Sequence, residues 1–118
     1  MIFKTDVERK LFKIKEIIRK CRQNVKIISR HENLKTMREL IYTEEDIIEE
    51  IKSLTAKNYS DGPETDRDGS KGEVWFFGKK IKEKMYYIKL KIIKLKNGDE
   101  LVILSFHPAV YEMKFPFA

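Results

Sequence analysis

The sequence predicts an α+β fold, with N-terminal helices packed on one face of a small, mainly antiparallel sheet. Two observations predict it. Apolar residues recur at helical spacing in the first half, and three strand-like runs follow closely in the second. The last two runs meet at "KNGD", a hairpin signal. Helices first and a meander after them is the order of an α+β layout. The 118 residues fit a single domain, 1–118, with one hydrophobic core.

"TDVERKLFKIKEIIRKC" predicts the first helix, about 5 to 22. Thr5 is placed to cap it, with Glu8 three residues on. Val7, Leu11, Ile14, Ile18 and Cys21 fall on one stripe and are assigned to the core. Cys21 has no partner for a disulfide and reads as a small buried side chain. "NVKIIS" (24–29) suggests a short strand and "ENLKTMREL" (32–40) a short helix. "TEEDIIEEIKSL" (43–54) gives a helix capped by Thr43, its first turn acidic as the helix dipole favours. Ile47, Ile48, Ile51 and Leu54 form its buried side.

"KNYSDGPETDRDGSKG" (57–72) reads as one long irregular segment, punctuated by Gly, Pro, Ser and Asp. Its acidic residues do not complete a calcium loop, because Trp75 stands where a closing Glu is needed. No metal and no cofactor is predicted. Strands are predicted over 73–79, 85–95 and 100–107.

The hairpin register decides which side chains share a face. A three-residue loop (96–98), with Gly98 left-handed, sets Tyr86, Ile88, Leu90 and Ile92 beside Val102, Leu104 and Phe106. That face is wholly apolar and is assigned to the core, along with Trp75 and Phe77. The opposite face then carries Tyr87, Lys89, Lys91 and Ile93 beside Ile103, Ser105 and His107, with Phe76 next to Lys89.

Lys and Arg exceed Asp and Glu by 25 to 19, a formal charge of +6. That balance favours anionic partners. No apolar run approaches the ~20 residues of a membrane span, and no signal peptide is apparent, so no membrane association and a cytoplasmic location are expected. There is no Gly-rich phosphate loop and no nucleophile elbow. The outward sheet face suits an RNA phosphodiester. Lysines would neutralise phosphate, an aromatic ring would stack on a base, and an imidazole would exchange a proton at neutral pH. Tyr87, His107 and Lys89 are the candidate catalytic residues. Lys91, Phe76, Lys79 and Lys80 are the candidate RNA contacts.

"LTAKNYSDGPETDRDGSKGEVWFFGKKI", "YYIKLKI" and "LVILSFHPA", preceded by "YTEEDIIEEIKSL", resemble the MqsR-like branch of type II toxin–antitoxin toxins. The resemblance covers roughly residues 32 to 109. It implies a RelE-like fold and a metal-independent endoribonuclease that cleaves mRNA and is silenced by a cognate antitoxin. In well-studied members the active set is two lysines, a glutamine and a tyrosine. Tyr87 matches the tyrosine. Phe76 stands at the glutamine position, His107 replaces the C-terminal lysine, and the loop lysine has no counterpart near Tyr59 and Asp61. A non-catalytic RNA-binding module, or a protein-interaction module of the same fold, is the alternative.

Overall fold

A computed structural model describes residues 1–118. Helix α1 (Lys4–Lys20) leads, and strand β1 (Val25–Ile27) follows. Two short helices come next, α2 (His31–Leu40) and α3 (Glu44–Lys52). Strands β2 (Tyr59–Thr65), β3 (Glu73–Ile81), β4 (Lys84–Leu95) and β5 (Gly98–Pro108) complete the chain. They form one five-stranded sheet in the order β1-β5-β4-β3-β2. Only β1 runs parallel to its neighbour; the remaining pairs are antiparallel. The α+β prediction is therefore met.

Helix α1 buries Val7, Leu11, Ile14, Ile17 and Ile18 against the sheet. Two of its details differ from the sequence reading. Thr5 lies inside the helix, and Asp6 closes the first turn instead, accepting from the Phe3 N–H at 2.8 Å. Cys21 is only half-buried. The helix stops at Lys20, and Cys21 turns off the stripe with φ −133°. Helix α3 follows expectation. Thr43 Oγ1 accepts from the Asp46 N–H, Asp46 bonds back to the Thr43 N–H, and Ile47, Ile48 and Ile51 are buried.

The segment 57–72 is less irregular than its composition suggests. Its first half is β2, an edge strand paired with β3 through two register shifts. Gly62 makes this possible. It takes φ +102°, and a Cβ there would stand 2.7 Å from the Val74 carbonyl oxygen. Only glycine lets the two backbones approach so closely.

The β4–β5 hairpin corrects the predicted loop. Leu95 pairs with Gly98, so the turn is Lys96–Asn97, with Gly98 at φ +119°. Near the turn Leu90 faces Ile103 and Ile92 faces Leu101. Between Lys89 and Leu90 the register shifts by one, so that Ile88 faces Phe106 and Tyr87 faces His107. Leu104 is the extra residue of a β-bulge. Leu101, Ile103 and Phe106 consequently join the main core, while Val102 and Leu104 fall on the other face in a small cluster with Val74. This reverses the sequence assignment for Ile103, Val102 and Leu104. "LVILSF" is apolar almost throughout, so no single alternation could sort it.

Beyond β1 the edge of β5 has no strand partner, and Asn33 of α2 takes that place. Its side-chain amide donates to the Leu104 carbonyl at 3.0 Å and accepts from the Phe106 N–H at 2.9 Å. The side chain also donates to the Ile28 carbonyl at 2.9 Å. Asn33 is itself buried, so every one of these bonds compensates a group that water cannot reach.

Candidate active site

The helices cover one face of the sheet and leave the other open. On the open face β3, β4 and β5 bring Phe76, Tyr87 and His107 into a row. The Phe76 and Tyr87 ring centroids are 6.1 Å apart, and those of Tyr87 and His107 5.3 Å. This row follows from the pairing of Phe76 with Lys89 and of Tyr87 with His107. The bulge at Leu104 is what brings Tyr87 and His107 opposite each other, because it resets the register between turn and site.

These three residues floor an open groove of about 690 Å³. Asp61 and Glu64 of β2 and Arg67 of the following turn form one wall, and residues 109–114 form the other. Burial raises the Tyr87 phenol above its ordinary value. Arg67 and Arg30 oppose that rise, while Glu64 and Asp61 add to it. The phenol therefore keeps its proton at neutral pH and acts as a donor. His107 Nδ1 lies 3.0 Å from the Pro108 carbonyl oxygen. A carbonyl only accepts, so Nδ1 carries the proton and a neutral ring offers Nε2 as a base.

The remaining candidates are distributed differently. Lys89 extends over the Phe76 ring, 5.7 Å from its centroid, just beyond the lining of the groove. Lys91 is buried, its ammonium donating to Asp66 at 2.9 Å and to Ser70 Oγ. It pins the 66–70 turn onto the open face, beside Arg67. Lys79 lies on the helical side, held by Glu50 and Ser53. Lys80 is exposed near the end of β3. Sequence reading passed over Arg67 and Arg30, and weighed Asp61 and Glu64 only as calcium ligands. Arg30, within hydrogen-bond distance of Ser105 Oγ at 3.4 Å, is separated from it by 75 positions. Arg67 had a local signal, a cation inside an acidic, Gly-bearing turn.

A larger groove, of about 810 Å³, lies between the start of α1 and the β4–β5 turn. Two of its lysines are already neutralised, Lys10 by Glu73 at 2.8 Å and Lys13 by Asp99 at 2.9 Å. It is lined by no histidine and no tyrosine, so acid–base chemistry at neutral pH points to the smaller groove.

Fold and groove define a class: a small α+β protein, helix-covered on one side of its sheet, with a phenol–imidazole cleft on the other. Residues 8–108 match the family described as motility quorum-sensing regulator, toxin of MqsA, and the chain belongs to that family of toxin–antitoxin toxins. No curated protein and no solved structure matches the chain. No helix is long and apolar enough to cross a membrane.

Proposed function

We propose that the protein is an endoribonuclease whose groove cleaves mRNA, and that a cognate antitoxin silences it. The observation that carries this reading is the adjacency of the Tyr87 phenol and the His107 imidazole, ring centroids 5.3 Å apart, beside arginines and a lysine. The RNA's own 2′-hydroxyl is the nucleophile, a chemistry that needs no metal. His107 Nε2 removes the 2′-proton as the 2′-oxygen bonds to phosphorus. The bond from phosphorus to the 5′-oxygen breaks, and that oxygen takes a proton from the Tyr87 phenol or from water. Arg67 and Lys89 stabilise the charge that builds on the phosphoryl oxygens, and Phe76 gives a base a ring to stack on.

This assignment puts an imidazole in place of the family pattern's C-terminal lysine and keeps the tyrosine. The family description also names a protein counterpart, MqsA, which supports an antitoxin partner.

Growth on expression tests the reading. Induction of the unaltered chain is expected to arrest growth, and His107→Ala and Tyr87→Phe are expected to relieve the arrest at equal protein levels. Equal growth of all three strains would remove the catalytic reading. Salt-sensitive RNA binding without cleavage would instead favour an RNA-binding module.

A further inference from the structure

The last ten residues, 109–118, lie beyond the family match, which ends at 108. They are nonetheless built into the site. Met113 and Phe115 pack on β3 at Gly78, where a Cβ would lie 2.7 Å from the Phe115 ring and 2.8 Å from the Met113 sulfur. Gly78 is thus a seat: a side chain there would have to displace the Met113 and Phe115 side chains that rest on it. Phe117 then packs against Tyr59 on the core side, ring centroids 5.6 Å apart. At the other end the Ala109 N–H donates to the Met85 carbonyl at 2.8 Å. Held at both ends, the segment alternates from Met113 onward. Met113, Phe115 and Phe117 turn inward while Lys114 and Pro116 are exposed, and before them Val110, Tyr111 and Glu112 are all exposed. Tyr111 keeps 86% of its surface in solvent and lines the groove together with Lys114.

A large aromatic left this exposed, on a wall so firmly seated, contributes little to folding. We propose that the 109–118 segment is a substrate-binding wall, in which Tyr111 stacks on an unpaired nucleobase flanking the scissile phosphate and Lys114 pairs with that nucleotide's phosphate. The proposal rests on the ribonuclease reading and extends it. Tyr87 and His107 act on the phosphodiester, and Tyr111 sets which stretch of single-stranded RNA is held across them. The wall already stands in the free protein, so binding orders few groups.

The test uses the full chain and a fluorescein-labelled pool of random 2′-O-methyl RNA 12-mers. These cannot be cleaved by their own 2′-oxygens, so anisotropy reports binding alone. Loss of one base stack is worth ~1–3 kcal/mol. Tyr111→Ala is accordingly expected to weaken binding about 5- to 150-fold, and Tyr111→Phe, which keeps the ring, to bind as the unaltered chain does. Circular dichroism of Tyr111→Ala should match that of the parent. If the parent binds the pool and Tyr111→Ala binds equally well, the wall proposal falls and the ribonuclease reading stands. Equal weakening in Tyr111→Phe would also overturn it, because a ring stack survives loss of the hydroxyl. If the parent binds no RNA, both readings fall together.

Discussion

His107 and Tyr87 carry the sharpest consequences at the scale of single residues. Removing a general base costs about 10²–10⁴-fold in rate, so His107→Ala should lose that much of kcat on an RNA substrate. Tyr87→Phe removes one donor aimed at the developing charge and should cost about 10²-fold, with KM little changed. Steady-state cleavage of a labelled RNA separates the two parameters. Asn33 has a structural consequence instead. Its side chain satisfies Leu104, Phe106 and Ile28 backbone groups in a buried place. Asn33→Ala should therefore lower stability by about 2–3 kcal/mol, seen as a shift of the urea midpoint at unchanged slope. Tyr87 was legible in the sequence because it sits in a strand whose alternation can be counted. His107 was placed opposite it because the predicted three-residue loop and the observed two-residue turn followed by a bulge give the same pairing at that end of the hairpin. Asn33 was not legible, because its role depends on β1 ending at Ile27, opposite Ile103, before it can pair with the rest of β5.

At the scale of elements, β2 and the turn after it hold the groove's acidic and basic wall. Gly62→Ala would force a Cβ to within 2.7 Å of the Val74 carbonyl and hold it at φ +102°. It should destabilise by more than ~1 kcal/mol and displace Asp61 from the groove. Amide exchange in β2 and β3 would report the lost pairing. Farther along, the Lys91–Asp66 pair fixes the turn that carries Arg67. The Lys91 hydrogen bond holds the Asp66 carboxyl below its ordinary value of 3.8. A carboxylate depressed by folding stabilises fully above its unfolded value, and that contribution is lost as pH falls through the lower folded value. The pinned turn should therefore persist through mild acid and loosen only below about pH 4, whereas Asp66→Asn should loosen it at neutral pH. Faster amide exchange at residues 66–72 would mark either change. The helices were legible from their stripes, and α3 from its Thr43 cap as well. β2 was hidden by its Gly, Pro and Asp residues, which signal a turn but here build an edge strand with two register shifts. The β4–β5 register was half legible, since its outer part matched the apolar alternation and its inner part depended on a bulge in an all-apolar run.

For the whole molecule, one side of the sheet carries the main core, and the other carries the candidate site beside a small Val74–Val102–Leu104 cluster. The core between helices and sheet takes Trp75, Phe77, Ile88, Leu90 and Phe106, which leaves β3–β5 free to present Phe76, Tyr87 and His107 outward. The basic balance of +6 acts at this scale by drawing polyanions to the surface. Three phosphate contacts on single-stranded RNA imply a fall of about twentyfold in affinity between 50 and 200 mM salt, and Arg67→Ala should reduce the logarithmic slope by about 0.7. The chemistry of the product ends tests the central claim most directly. Purified protein incubated with a single-stranded RNA should yield 2′,3′-cyclic phosphate and 5′-hydroxyl ends, resolved by mass spectrometry, and His107→Ala should yield almost none. Intact RNA after prolonged incubation with the unaltered protein, or equal cleavage by His107→Ala, would contradict the account.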